Sequence, residues 1–251
     1  KIQVDLSTEI EDIIEKLGIA IAPILQQAIE LGIYEDCKPY QINAFKAMQQ
    51  SQKIVANPSI PEGIKWRNFF ILQLLNHVGQ MLKRIKIYGI RTFYTYFSDK
   101  HREFTVKYTL GKSTNKTAAE FYYHPIIKNL LSQCEDALKS TNFISHGKLQ
   151  HMKEELNEFF SGKDIDSRVI IFTELRESAL EIVKFIDSFS HPDIKPHIFI
   201  GQAKGKEGFD EVSFTRKNNP KGRKKADRLK RQEEEKAIDE ERKAKKKREC
   251  I

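Results

Sequence analysis

A short apolar run, an amphipathic helix pattern and a second apolar run follow one another between residues 167 and 200, and this order constrains the fold most. The first run, residues 169–172, contains three β-branched residues and is typical of a strand covered on both faces. The second run, residues 198–200, follows Pro196 and has the same character. Two strands joined by a helical crossover are expected to lie parallel in one sheet. The helical spacing between them is carried by Leu175, Ala179, Ile182, Val183, Ile186 and Phe189.

Polar groups follow both predicted strands, at positions where α/β sheets bind phosphates. Thr173 and Arg176 lie at the first strand-to-helix junction, where helix amides and a guanidinium can together hold an anion. Alternatively, Thr173 caps the helix and Arg176 pairs with a surface carboxylate. After the second strand, Gly201 lets the backbone approach a phosphate closely, with Gln202 and Lys204 beside it, or it is a plain strand-to-loop glycine.

The glycine-lysine motifs of the chain do not fit a nucleotide site. The tripeptide Gly111-Lys112-Ser113 resembles the end of a Walker A loop, but Val106 stands where that loop requires its first glycine. We therefore expect a flexible polar loop there. Only three residues separate Gly201 from Gly205, which also differs from the spacing of dinucleotide sites. The chain alone is not expected to bind ATP, and no residue in it is a candidate for catalysis.

Residues 1 to about 104 are helical in pattern. Gly18 and Pro23 are expected to interrupt the first helical segment. The longest element is predicted to run from about residue 64 to residue 97, with a kink or break at Gly89. Its apolar stripe consists of Ile71, Leu74, Leu75, Val78, Met81, Leu82 and Ile85.

The second half of the chain differs in composition along its length. Residues 105–119 are polar and lack apolar periodicity, which indicates a mobile loop. Helical patterns return at residues 125–138 and 147–160. Residues 203–251 contain 18 Lys and Arg against 11 Asp and Glu, a net of +7 out of +8 for the whole chain. A tail from residue 209 is therefore expected to be disordered or an isolated solvated helix, and it could serve nuclear localisation or DNA attraction.

Four cations with interleaved aromatic residues mark the end of the longest element. Lys83, Arg84, Lys86 and Arg91 can neutralise phosphates, while aromatic faces can stack on unpaired bases. An aromatic stripe at helical spacing is more often core, and cations late in a helix also favour its dipole. Both interpretations stay open for the cations, whereas core packing is favoured for the aromatic residues, Tyr88, Phe93, Tyr94 and Tyr96.

Metal, disulfide and membrane sites are not indicated. Cys37, Cys134 and Cys250 are far apart and have no ligand-like spacing, which fits a reducing compartment. His146 and His151 are five residues apart and diverge on a helix, so capping or solvated roles are expected for them. No apolar run approaches the ~20 residues that a membrane span needs.

The pairing of IIFTELRESALEIVKFI with IFIGQA resembles the second RecA-like domain of a superfamily-2 DNA helicase of the Fanconi anaemia group M / Hef family. Residues 66–97 and 112–130 resemble the helical insertion in the fungal branch of that family. The resemblance implies a mixed fold in three parts. We expect an all-α insertion domain over residues 1–145, the first part of a RecA-like α/β domain with a parallel sheet over residues 146–208, and a basic tail or insertion over residues 209–251.

The resemblance also implies a function. The chain would be a fragment of an ATP-dependent DNA helicase or translocase that moves 3′ to 5′ and remodels forks and D-loops in DNA repair, in the nucleus. Its own part would be DNA binding and orientation, with Thr173, Arg176 and Gly201 at positions that contact the DNA backbone in the family. ATP and Mg²⁺ would be bound by the parent protein, because this chain lacks the Walker A, Asp-Glu-x-His and late arginine motifs.

The expected partners are branched DNA and histone-fold or recombination-repair proteins, without a membrane. A second interpretation belongs to another class of protein. In it, the helices form a non-enzymatic protein-interaction module, and the basic tail only attracts DNA.

Overall fold

The protein is described here by a computed structural model, which describes residues 2–140, 143–161, 167–189 and 191–199. Within these ranges all regular secondary structure is helical, and no helix is long and apolar enough to cross a bilayer. A 3-10 turn, Pro39–Gln41, lies between the first two α-helices. The α-helices of the described residues are α1 Thr8–Glu30, α2 Ala44–Ala56, α3 Glu62–Ile87, α4 Ile90–Thr109, α5 Lys116–Tyr122, α6 Pro125–Lys139, α7 Gly147–Phe160 and α8 Arg176–Ser188.

α1 is one continuous helix, so the prediction that Gly18 and Pro23 interrupt it is wrong. An internal proline costs a helix about 3 kcal/mol because it removes a donor and crowds the preceding turn. Ile21 and Ile24, on either side of Pro23, are fully buried, and each such side chain stabilises by about 1.5–3 kcal/mol. Burial of the apolar face therefore outweighs the local cost. The Ser7 hydroxyl accepts a hydrogen bond from the Ile10 amide and caps the helix.

α2 and α3 form an antiparallel hairpin with a close backbone approach at one end. A Cβ atom on Gly79 would lie 2.5 Å from the Ala44 nitrogen, so only glycine permits this approach. The Asn76 amide also donates to the Ala44 carbonyl at 2.7 Å. The start of α2 thus lies beside the second half of α3, and the end of α2 lies beside the start of α3.

Gly89 separates α3 from α4, as the sequence predicts. Its backbone has a φ of +97° and a ψ of −173°, a conformation that is essentially restricted to glycine. A Cβ at this position would lie 2.3 Å from the Ser145 carbonyl oxygen. The same oxygen accepts a hydrogen bond from the Ile90 amide at 3.0 Å. The turn therefore holds the segment before α7 directly against the α3–α4 junction.

The hydrophobic core is built mainly from α1 and α3, with smaller contributions from α4, α5 and α6. The stripe predicted for α3 is buried along its whole length, with each side chain at most 3% exposed. Two phenylalanines of α4, Phe93 and Phe97, stack with ring centroids 5.3 Å apart and are fully buried. Helix α6 contributes Ile127, Leu130 and Cys134 to the same core.

The two predicted strands are not formed in the described residues. Residues 169–172 have no regular secondary structure, and Ile170 and Phe172 are 77% and 90% exposed. Residues 198–199 are likewise irregular, and residue 200 lies outside the described part. A strand needs a neighbouring strand to pair its backbone groups, and the described residues offer 169–172 no such partner. The prediction of a strand covered on both faces is therefore wrong for this structure.

The polar stretch 105–119 is shorter as a loop than its composition predicts. α4 continues to Thr109 and α5 begins at Lys116, so only residues 110–115 are irregular. Aromatic contacts explain the extension, because Phe104 stacks on Tyr122 with ring centroids 5.0 Å apart. Gly111, with a φ of +65°, ends α4 and is not part of a phosphate loop.

The chain divides into two units, Lys1–Ile198 and Phe199–Ile251. The first unit runs across the boundary expected after residue 145, since α7 and α8 belong to it together with α1–α6. The assignment of residues 146–208 to a second domain stays a prediction. Except for Phe199, the second unit lies outside the described residues, and so does the predicted tail from residue 209.

Replacing Gly89 should be costly. We expect Gly89→Ala to lower the free energy of unfolding by about 2–4 kcal/mol, because the backbone conformation excludes a Cβ and the Ser145 carbonyl occupies its space. Urea unfolding followed by circular dichroism measures this. In the control, Gly63→Ala, the added Cβ meets no atom within 4 Å inside α3, and a gain of about 0.5–1 kcal/mol is expected. Equal effects of both variants would contradict the role given to Gly89.

Candidate nucleic-acid interface

The structure brings two groups of predicted DNA-binding residues together. Lys83, Arg84 and Arg91 flank the α3–α4 junction, and Thr173 and Arg176 lie at the start of α8. The groups meet through three carboxylates that sequence analysis did not single out. We refer to these carboxylates, Glu174, Glu177 and Glu181, as the acidic face of α8.

Lys83 and Tyr88 converge on Glu174. The Lys83 ammonium donates to one carboxylate oxygen at 2.8 Å, and the Tyr88 hydroxyl donates to the other at 3.2 Å. The bond from Lys83 lowers the pKa of the Glu174 carboxyl below its usual value. Because Glu174 and Lys83 are both exposed, such a pair adds little to the free energy of folding and is screened by salt.

Arg84 is the most buried of the predicted cations, with 9% of the residue exposed. Its guanidinium lies 4.1 Å from the ring centroid of Tyr96 and donates to the Gln80 side chain at 2.8 Å. The Arg84 Nε is 3.8 Å from Glu177, which is an ion pair but too long for a hydrogen bond. Arg84 is thus held between a ring, an amide and a carboxylate, and it presents little surface to a ligand.

Glu181 is buried at the contact between α8 and α4. The Thr92 hydroxyl donates to its carboxylate at 3.0 Å, and the Arg91 Nε lies 3.7 Å away. Burial raises the pKa of the Glu181 carboxyl, and the hydroxyls of Ser145 and Thr92 and the charge of Arg91 only partly oppose this. The face of α8 that packs on α4 is therefore polar at Ser178 and Glu181. Most of its predicted apolar stripe is only half-buried, since Ile186 alone among those residues is fully buried.

Lys86 is engaged by the backbone instead of by a carboxylate. Its ammonium donates to the Tyr40 carbonyl at 2.5 Å and lies 5.7 Å from the centroid of the Tyr40 ring. Burial lowers the pKa of Lys86. The carbonyl of Lys86 is in turn 2.9 Å from the His146 Nε2, while the His146 Nδ1 accepts from the Lys148 amide and caps α7. His146 therefore has the capping role expected for it.

Thr173 is not the cap of α8, because Leu175 occupies that position without a side-chain bond. The Thr173 hydroxyl instead shares a hydrogen bond with the Ser178 hydroxyl at 2.9 Å. Arg176 is the first residue of α8 and is half-buried. Gly201, Gln202 and Lys204 lie outside the described residues. A role in DNA contact stays a prediction for these residues and for Lys83, Arg84, Lys86 and Arg91.

The aromatic residues interleaved with these cations make contacts within the protein. Phe93 is fully buried, and Tyr96 lies under Arg84. The Tyr94 hydroxyl donates to Glu135 at 2.6 Å, and burial together with this bond raises the pKa of Tyr94 to about 12. Tyr88 is bonded to Glu174. Core packing is therefore confirmed for Phe93, and Tyr94 and Tyr96 are partly buried against the same core. For Tyr88, which is half-buried outside that core, the preference stays a prediction.

This arrangement can bind phosphates only in competition with its own carboxylates. A phosphate that approached Lys83 or Arg84 would have to displace Glu174 or Glu177, which already neutralise them. No group of three or more His, Cys, Asp or Glu side chains that could hold a metal ion occurs in the described part of the chain. A partial signal for the acidic face was present in the sequence, since Glu177 and Glu181 are four residues apart on one helix face, whereas Glu174 precedes α8.

Glu181 should make stability depend on pH. Because its pKa is raised by folding, the folded state holds a proton where the unfolded state, with a pKa near 4.5, has lost it. Its contribution is present at low pH and is lost as pH rises through the folded pKa. We expect the stability of Glu181→Gln relative to the unmodified protein to increase as pH rises from the unfolded pKa of Glu181 through its higher folded pKa.

Urea unfolding at a series of pH values measures this difference. Glu158→Gln, at an exposed position of α7, is the control for removing one carboxylate. A constant difference between Glu181→Gln and the unmodified protein across the series would contradict the assignment.

Comparison with known proteins gives clear relatives, although no protein-family profile matches the chain. It is 72% identical over 242 residues to the ATP-dependent DNA helicase MPH1 of Saccharomyces cerevisiae S288c, covering 96% of this chain and 24% of that protein. The protein of the same name from Candida glabrata is 68% identical over 233 residues, with 93% and 22% covered. That of Kluyveromyces lactis is 61% identical over 239 residues, with 95% and 24% covered. The chain thus spans about a quarter of the length of these relatives.

A solved structure shares the fold. The helicase domain of Hef from Pyrococcus furiosus superposes with a TM-score of 0.64 at 21% identity, covering 82% of this chain and 40% of that one. At this identity the likeness concerns the fold alone. The fungal relatives, in contrast, match nearly every part of the chain at 61–72% identity. On these grounds the chain is homologous to a part of the fungal proteins named ATP-dependent DNA helicase MPH1, in agreement with its resemblance to the fungal branch of the Fanconi anaemia group M / Hef family.

Proposed function

We propose that this chain is a DNA-engaging section of a longer ATP-dependent DNA helicase or translocase, which moves 3′ to 5′ and remodels forks and D-loops in nuclear DNA repair. The observation that carries the proposal is its 72% identity to a protein named ATP-dependent DNA helicase over 96% of its length. ATP and Mg²⁺ would be held by parts of the protein outside this sequence. Histone-fold or recombination-repair proteins would be its protein partners.

The charge of the helical unit supports DNA engagement. Residues 44–87, which contain α2 and α3, carry seven Lys and Arg against one carboxylate, Glu62, a net of +6. A concentration of positive charge on one hairpin attracts a polyanion and speeds its association. The charge concentrated in residues 203–251 would add a second attraction that does not depend on DNA structure.

The contacts of the acidic face of α8 support a second role, orientation. Lys83, Arg84 and Arg91 connect the α3–α4 junction to α8 through carboxylates that are partly exposed or buried. Ion pairs of this kind contribute modestly to stability but fix a relative position. The helical part would then transmit the direction of bound DNA to the segment that resembles the second motor domain.

The same contacts favour a second candidate of another class. In this candidate, Lys83, Arg84 and Arg91, which already pair with carboxylates, serve to hold α8 against α3 and α4. The chain would then be a non-enzymatic protein-interaction module, with DNA attraction left to its basic tail. The two candidates differ in what happens when the carboxylates are neutralised.

Neutralising the exposed carboxylates should strengthen DNA binding if Lys83 and Arg84 face DNA. We expect the double variant Glu174→Gln, Glu177→Gln to bind duplex fork DNA more tightly, with a salt dependence steeper by about 0.9 per freed cation. Fluorescence anisotropy over a salt series measures both quantities. The control Glu11→Gln, Glu15→Gln makes the same charge change at exposed positions of α1.

If Glu174→Gln, Glu177→Gln affects DNA binding no more than the control does, Lys83 and Arg84 have a structural role only. That result would favour the interaction module. Removing residues 209–251 then separates the tail from the helices. If the tail alone binds DNA, its removal abolishes binding, whereas a retained preference for forks over linear duplex supports the helical unit. For the longer protein, fork-stimulated ATP hydrolysis and 3′ to 5′ strand displacement are the expected activities, and their absence would contradict the helicase proposal.

A further inference from the structure

The first two turns of α3 expose an aromatic cluster that has no role in the core. Trp66 and Phe70 are 45% and 38% exposed, although large aromatic side chains are normally buried. Their ring centroids are 6.3 Å apart, and Phe69 lies edge-on to Trp66 with centroids 5.6 Å apart. These contacts hold the exposed rings in place, so little conformational entropy remains to be lost when a flat ligand stacks on them.

Three cations for which the described residues provide no ion-pair partner lie near this cluster. Lys65 and Arg67 precede and follow Trp66 in the sequence, and they point to either side of it on the helix. α2 is 13 residues long, about 20 Å, and begins beside Gly79, so its last turn with Lys53 lies about level with the first turns of α3. In the described part of the chain, none of Lys53, Lys65 and Arg67 forms an ion pair.

Lys53, Lys65 and Arg67 differ in their ion pairing from the other cations of the α2–α3 hairpin. Its other four cations are satisfied, since Lys46, Lys83 and Arg84 pair with carboxylates and Lys86 is bound to a backbone carbonyl. Charged residues elsewhere on the helices also pair within one turn, as Lys107 does with Glu103. The positive charge of residues 44–87 is therefore least balanced at the end of the hairpin that carries Trp66 and Phe70, where Glu62 is the one carboxylate of the hairpin beside Lys53, Lys65 and Arg67.

We propose that Trp66 and Phe70, with Lys65, Arg67 and Lys53, form a binding site for an unpaired DNA strand. The rings stack on bases, and the cations contact the phosphates on either side. Stacking suits a site that accepts any sequence, because every base has a flat face. A purely apolar protein partner would not require unpaired cations beside the rings, so the charge favours a nucleic acid. The proposal rests on the proposed DNA-engaging function and names the surface and the form of DNA for it.

Trp66 is the single tryptophan of the chain, which gives a direct readout. If a base stacks on the indole, oligo(dT) added to the full chain quenches its fluorescence. We expect Trp66→Leu, Phe70→Leu to weaken oligo(dT) binding by about five- to a hundredfold, because leucine keeps apolar area but has no aromatic face. Trp66→Phe keeps the stacking face and should change affinity by less than about threefold. Phe45→Leu removes an exposed ring at the other end of the hairpin and is the control.

The cations have their own test. Lys65→Gln, Arg67→Gln should reduce the slope of log affinity against log salt by about 1.4 for single strands, or about 0.7 for each lost phosphate contact. Lys107→Gln, whose cation pairs with Glu103, should leave the slope unchanged. Thermal melting of each variant shows whether the fold is retained.

The outcomes separate this proposal from the function on which it rests. Tight fork binding without quenching, and without an effect of Trp66→Leu, Phe70→Leu, would overturn this site and leave DNA engagement in place. Self-association that is lost in the same variant while oligo(dT) binding persists would also overturn it, in favour of protein docking. Failure of the chain to bind any DNA would contradict the DNA-engaging function itself.

Discussion

The close approach of Ser145 to Gly89 is the constraint on which the second half of the helical unit depends. The Ser145 carbonyl accepts from the Ile90 amide at 3.0 Å, and its hydroxyl accepts from the Arg91 amide at 2.9 Å. These bonds satisfy the first amides of α4, which would otherwise lack partners at a helix start. They also fix the segment that leads directly into α7. Without a glycine at position 89, this segment could not lie where it does.

Electrostatics then decides how α8 is attached. Its face toward α4 carries Ser178 and Glu181, so the attachment relies on hydrogen bonds and ion pairs as much as on apolar burial. Ion pairs stabilise less than an apolar face of equal size but are more sensitive to salt, pH and competing anions. This contact is thus more sensitive to a polyanion than the apolar core, which is built mainly from α1 and α3.

The helices were largely predictable from the sequence, because apolar periodicity and capping residues are local signals. The α3 stripe, the break at Gly89 and the bounds of α7 were all evident. The prediction that Pro23 interrupts α1 was wrong, because the local cost of the proline is outweighed by burial of apolar side chains, which only the folded protein shows. The prediction of a strand at residues 169–172 was wrong because a strand forms only beside another strand, and this pairing is not a local property of the sequence.

The candidate site divides in the same way. The sequence by itself determined the likeness to the fungal helicases, the lack of a nucleotide-binding motif in this sequence and the concentration of cations in residues 44–87, since each depends on residue identity alone. Only the tertiary structure decided which cations are occupied. Lys83, Arg84 and Arg91 meet carboxylates about 90 residues away in the chain, whereas Lys65 and Arg67 beside the exposed Trp66 meet none in the described residues. The physical reason is that ion pairing depends on distances across the fold, and these are not encoded in local spacing.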